Sequence, residues 1–90
     1  MDCLRKDMEK TMMNLGFEMV AINGHHLFRW DNSYYKLTFI ESFNGFVLEY
    51  AESKNDAEKG IFIDGDIYSL SLGKKLLSQF EKDLINLYME

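Results

Sequence analysis

The chain has 90 residues, with ten basic and fifteen acidic side chains, for a formal net charge of −5. Hydrophobic residues make up 47% and charged residues 28%, a balance typical of one compact domain over residues 1–90 rather than a disordered chain. A lone cysteine (Cys3), a charged N-terminus and the lack of an apolar run of about 18 residues argue against an internal disulfide, a secretory leader and a membrane span, and favour a cytoplasmic protein.

Residues 2–15 have the pattern of an amphipathic helix. Asp2 is suited to cap its N-terminus, and Gly16 supplies the left-handed residue that commonly ends a helix. Apolar side chains recur at spacings of three or four, at Leu4, Met8, Met12 and Leu15. This stripe predicts a helix that packs one face on a core.

Alternation with a period of two follows the first helix and predicts β-strands. Turn signals separate the strands at Asn23-Gly24, at Asp31 to Ser33 and at Asn44-Gly45. The four alternating runs are Phe17–Ile22, Leu27–Trp30, Tyr34–Glu41 and Phe46–Glu52. Together they predict an antiparallel meander, with room for a fifth short strand, as a small hairpin or an extended crossing around Asp64-Gly65-Asp66.

The second half of the chain is predicted to form two more helices. A short helix spans about Ser53 to Gly60, and a final helix spans about Gly73 to Met89. The apolar positions of the final helix are Leu76, Leu77, Phe80, Leu84, Leu87 and Tyr88. We therefore expect an α+β domain of two layers, with both long helices on one sheet face and the other face uncovered.

The negative charge is concentrated in one segment. Residues 41–66 hold seven acids and two bases, a net −5, while the acids and bases of the remaining chain cancel. Such a field attracts basic partners and repels phosphate backbones, which argues against nucleic-acid binding. The acids can form an interface or only a solvated face, and the sequence leaves both interpretations open.

The sequence offers no complete catalytic or metal-binding set. His25 and His26 follow a turn and are expected to point apart, and Cys3 has no partner that would activate it. Asp64-Gly65-Asp66 is the most metal-like stretch, but the twelfth position counted from Asp64 is Lys75, where a calcium loop needs Glu. We therefore predict no enzyme activity, no cofactor and no metal.

Tyrosines interleaved with the acids suggest a protein-binding surface, since tyrosine is a rigid anchor and acids steer basic partners. Val47–Ser53, Asn55–Ala57 and Phe62–Tyr68 resemble segments of small acidic immunity proteins of bacterial polymorphic-toxin systems. The resemblance implies a non-catalytic inhibitor that binds and neutralises a cognate toxin. The partner-binding residues it implies are Glu49, Tyr50, Glu52, Asp56, Asp64, Asp66 and Tyr68.

A second interpretation is a small structural module, housekeeping or phage-encoded, that self-associates and has no toxin partner. Its interface would be the uncovered sheet face, whose side chains are Tyr34, Thr38, Ile40, Val47 and Ala51. Under either interpretation the protein is expected to be a monomer or a weak homodimer.

Overall fold

A computed structural model describes residues 2–89 of the chain. It consists of three helices and one five-stranded sheet. In chain order the elements are α1 (Asp2–Leu15), β1 (Glu18–Ile22), β2 (His25–Trp30), β3 (Ser33–Ile40), β4 (Gly45–Ala51), α2 (Lys54–Lys59), β5 (Ile63–Ser69) and α3 (Lys75–Asp83). Short 3₁₀ turns precede β4 and α3, and one π-helical turn, Leu84–Tyr88, continues α3.

The sheet is an antiparallel meander with strand order β1-β2-β3-β4-β5. The alternation predicted a meander of four strands, and the fifth, which the sequence left open, is a full strand. The tight turns lie where the sequence indicated them, and Asn23 and Gly24 both have positive φ, at 53° and 79°. Two such residues in succession give the backbone twist that suits a two-residue hairpin. Asp31 and Asn44 also have positive φ, which their short polar side chains tolerate better than most.

Both long helices cover one face of the sheet, as expected. Met8 and Met12 of α1 and Phe80 of α3 are fully buried in the main core. They pack with sheet side chains that include Phe28, Leu37, Phe46, Leu48 and Tyr68. Removing this many large apolar side chains from water, at roughly 2 kcal/mol each, is the main force that holds the helices on the sheet.

The ends of the two long helices differ in how well the sequence predicted them. Gly16, at φ 112°, ends α1, and Phe17 folds into the core, as expected. The side chain of Asp2, predicted as an N-cap, lies outside the described residues. The prediction for Leu87 is wrong, because that side chain is 62% exposed. The amide of Met89 bonds to the carbonyl of Leu84, and this wider turn rotates Leu87 outward.

The opposite sheet face is covered over part of its area, which the sequence did not indicate. Helix α2 begins at Ser53, whose hydroxyl accepts from the amide of Asp56 at 3.1 Å. Its buried Ala57 packs against the sheet in a second, smaller core. That core contains Ile22, Leu27, Ala51 and Ala57, with Val20, Tyr34 and Phe62 at its margin.

Asp64-Gly65-Asp66 forms no hairpin turn but lies inside the seven-residue strand β5. The pairing shifts between Val47 opposite Ile67 and Glu49 opposite Asp64, which marks a β-bulge at Gly65 and Asp66. A Cβ atom on Gly65 would lie 2.6 Å from the Tyr88 hydroxyl and 2.7 Å from the Leu48 carbonyl oxygen. Any side chain at position 65 would clash with these two oxygen atoms, so glycine is required there.

Candidate functional site

The seven predicted partner-binding residues do not share one surface. The strand register sends Glu49 and Asp64 to the sheet face opposite the long helices. Tyr50 and Tyr68 are directed to the helix-covered face, and Glu52 and Asp56 lie at the start of α2. Alternation along a strand, together with the bulge, separates acids that are close in sequence.

Tyr68 lies in the core. Its side chain is 1% exposed, and its ring packs edge-on against Phe80 with 5.1 Å between centroids. The hydroxyl donates to the carboxylate of Asp83 at 2.8 Å. Burial, and then this hydrogen bond, raise the pKa of Tyr68 well above its usual value. Tyr68 therefore ties β5 to α3 and is not available to contact a partner.

Tyr50 and Asp66 also have structural partners. The half-buried Tyr50 ring lies 6.1 Å from the rings of both Tyr35 and Tyr88, measured between centroids. Asp66 receives a hydrogen bond from the Tyr88 hydroxyl at 2.9 Å, and its own amide donates to that hydroxyl at 3.1 Å. Burial is the main reason why the pKa of Tyr88 rises to about 12. These groups stabilise the C-terminal end of the fold.

Glu52 and Asp56 flank the Ser53 cap. Glu52 is exposed, whereas Asp56 is half-buried in the first turn of α2. A carboxylate at this position interacts favourably with the N-terminal end of a helix, so Asp56 has a structural role in α2. Glu52 is left as a free surface charge between β4 and α2.

Glu49 and Asp64 do come together, as direct cross-strand neighbours on β4 and β5. The Thr38 hydroxyl donates to Glu49 from the other side of β4. Lys36 also lies opposite Glu49, but its ammonium nitrogen is 4.3 Å from the centroid of the Phe62 ring. Across residues 2–89 the only ion pair within 4 Å joins Arg29 to Glu18, at 3.1 Å. Neither Glu49 nor Asp64 therefore forms an ion pair within 4 Å among the described residues.

Apolar side chains continue the same face beside these acids. Ile67 lies opposite Val47 and is 54% exposed, and Thr38 lies opposite Val47 on the other side. We call this part of the sheet the acidic half-face and define it as Thr38, Ile40, Val47, Glu49, Asp64 and Ile67. Sequence reasoning missed Ile67, because its facing depends on the bulge.

A cleft of about 390 Å³ lies between α2 and the β1–β2 hairpin. Its lining includes His25, His26, Lys36, Lys59 and Phe62. The two histidines lie on opposite sheet faces, since His25 is paired with Ile22 and His26 with Ala21. Among the described residues, no group of three or more His, Cys, Asp or Glu side chains could hold a metal ion. Nor does any helix of residues 2–89 have the length and apolarity that crossing a membrane requires.

Comparison of the chain with known protein families, with curated proteins and with solved structures finds no match. The candidate site therefore depends on the geometry of the chain itself.

Proposed function

We propose that this protein is a non-catalytic binding protein whose acidic half-face docks on a basic protein, and that this partner is a toxin that it neutralises. The observation that carries the proposal is the cross-strand pair Glu49 and Asp64. Like charges directly opposite each other destabilise a sheet, and among the described residues no base forms an ion pair within 4 Å with either acid. A partner that supplies Arg or Lys side chains would relieve this repulsion.

The neighbouring surface suits a protein partner. Ile67 is an exposed apolar side chain beside the acids, and the side chain of its cross-strand partner Val47 is buried. Interfaces combine such an apolar centre with charges at the rim, which speed the encounter and fix the orientation. Inhibition would then follow from covering the active cleft of the toxin, with no chemistry from this chain. The toxin identity of the partner comes from the resemblance of residues 47–68 to immunity proteins.

The alternative, a self-associating module, fits the geometry less well. Of its expected interface, Tyr34 and Ala51 lie under α2 and Phe62, and Ala51 is 1% exposed. A two-fold contact through the remaining face would bring Glu49 and Asp64 towards their own copies. That arrangement adds repulsion and disfavours a dimer.

The test is co-expression with the product of the neighbouring gene, followed by growth and co-purification assays. The diagnostic variant is Glu49→Gln with Asp64→Asn, which removes two charges and preserves side-chain shape. Asp66 is left unchanged because its carboxylate accepts from Tyr88. The matched control is Asp7→Asn with Glu81→Gln, two exposed acids on α1 and α3.

We expect the wild-type chain to protect cells and to co-purify with the toxin. The diagnostic variant should bind about tenfold or more weakly, and the control should bind within about twofold of wild type. Association of the wild type should also slow as ionic strength rises. If the wild-type chain neither protects nor co-purifies, the toxin hypothesis is wrong. A stable dimer that persists in high salt would favour the self-associating module instead.

A further inference from the structure

A second cavity, on the helix-covered side of the sheet, is built from aromatic side chains and one acid. Its volume is about 520 Å³, and it lies where the β2–β3 turn meets the C-terminal turn. The lining residues are Trp30, Asp31, Ser33, Tyr35, Tyr88 and Met89. None of them belongs to the acidic half-face, so the cavity is separate from that surface.

The aromatic walls are held in fixed positions. The rings of Tyr35 and Tyr88 are nearly perpendicular, at 86°, with 5.8 Å between their centroids. The Trp30 ring packs against the Phe17 ring, with 5.7 Å between their centroids. The indole also lies close to Gly16, where a Cβ atom would be 3.1 Å from it. Pre-positioned ring walls lose little conformational freedom when a ligand enters.

The charges around the cavity favour a cation. Asp31 is exposed at the rim, and no Lys, Arg or His is among the lining residues. The guanidinium of Arg29 donates to the Asp31 carbonyl oxygen at 3.3 Å. Its charge is already paired with Glu18, at 3.1 Å. The carboxylate of Asp31 is therefore available to a ligand.

We infer that this cavity binds an organic ammonium cation. The electron-rich faces of Trp and Tyr attract cations, and quaternary ammonium groups, which are weakly hydrated, gain most from such walls. Asp31 adds an opposite charge at the entrance. The same chemistry could be presented by a small free amine or by a lysine side chain of a polypeptide. This inference does not depend on the proposed function.

The single tryptophan of the chain makes the test direct, since Trp30 is itself a wall of the cavity. Choline is titrated while Trp30 fluorescence is followed, with 3,3-dimethyl-1-butanol as the neutral molecule of the same shape and sodium chloride as the control for ionic strength. Backbone amide shifts in two-dimensional NMR provide a second readout at Ser33, Tyr35 and Met89. An Nα-acetyl-lysine amide titration separates a free quaternary amine from a lysine side chain.

The diagnostic variant is Asp31→Asn. Asp31 has φ 55°, a conformation that Asn adopts readily, so the turn should be preserved while the charge is removed. Asp7→Asn is the matched control, because it removes an exposed acid on α1 that is not among the lining residues. We expect a saturable response to choline, little response to the neutral alcohol, and binding weakened about fivefold or more in Asp31→Asn only.

Other results would overturn the inference. They are the lack of a saturable response to either ammonium probe, an equal response to the neutral alcohol, or equal affinity in Asp31→Asn and wild type. A response to choline alone assigns a small quaternary amine as the ligand. Equal or tighter binding of the lysine derivative assigns a polypeptide side chain. Both of these outcomes support an ammonium site.

Discussion

The Tyr88 hydroxyl and Asp66 exchange two hydrogen bonds: the hydroxyl donates to the carboxylate at 2.9 Å and accepts from the backbone amide at 3.1 Å. The amide belongs to the β-bulge of β5, so it lacks the regular partner that a ladder position would supply. Tyr88 thus satisfies a backbone group of the edge strand from the π-helical turn.

Tyr88→Phe should lower the free energy of unfolding by about 1–3 kcal/mol, because the bulge amide and the Asp66 carboxylate both lose a partner. Urea unfolding at neutral pH measures the change. Tyr34→Phe is the control, since the Tyr34 hydroxyl makes no side-chain hydrogen bond among the described residues. Equal stability of Tyr88→Phe and wild type would contradict the role assigned to this hydroxyl.

Gly65→Ala should destabilise the protein by about 2 kcal/mol or more, because its Cβ would overlap the Tyr88 hydroxyl and the Leu48 carbonyl oxygen. Combining it with Tyr88→Phe should recover only part of the loss, since the clash with the backbone remains. Asp64→Ala, at the neighbouring exposed position, should change stability by less than about 0.5 kcal/mol. Thermal unfolding of the wild type and these three variants measures the differences. A Gly65→Ala variant as stable as the wild type would contradict the close contacts at the bulge.

Phe80→Ala should cost about 3–5 kcal/mol, since Phe80 has no exposed surface and its ring packs on Tyr68. Leu87→Ala removes a side chain that is 62% exposed and should cost less than about 1 kcal/mol. Chemical denaturation of both variants measures the difference. Similar losses at the two positions would contradict the difference in burial between Phe80 and Leu87.

Stability should fall in alkaline solution, and the sign follows from the tyrosine pKa values. Burial raises the pKa of Tyr88 to about 12 and raises those of Tyr35 and Tyr68 as well. In the unfolded chain these phenols ionise near pH 10, so between about pH 10 and 12 the folded state holds more protons. The contribution of these phenols to the free energy of unfolding is complete below about pH 10. It is lost as the pH rises through their pKa values in the folded state.

Urea midpoints measured at intervals from pH 8 to pH 11.5 test this behaviour, with phenolate absorbance followed in parallel. Tyr88→Phe should make the decline above pH 10 shallower, whereas Tyr34→Phe serves as the comparison variant. Phenolate absorbance that develops fully while the chain is still folded would show that the three hydroxyls are accessible, contrary to expectation.

The helices and the meander could be predicted because their signals are local. The Met8–Met12 stripe and the Asn23-Gly24 turn need only a few neighbouring residues to be recognised. β5 was harder to predict, since Asp64-Gly65-Asp66 has the composition of a turn. What keeps it extended is its pairing with β4, together with the hydroxyl of Tyr88, which bonds to Asp66 from 22 positions further along the chain.

The candidate site was only partly predictable for the same reason. The concentration of charge in residues 41–66 is a property of composition, but the face on which each acid lies depends on register and on the bulge. Glu49 and Asp64 converge because β4 and β5 pair, whereas Tyr68 turns into the core. No pattern within the segment distinguishes these outcomes without the sheet pairing.

The meander has a consequence for the order of folding. Every strand pairs only with its neighbour in sequence, and three of the four ladders form by closing a loop of two to four residues, at a small loss of chain entropy. The fourth, between β4 and β5, closes across α2. Contact between α1 and α3 joins opposite ends of the sequence instead. Hairpins are therefore expected to form early, and the docking of the two helices completes the cooperative native state.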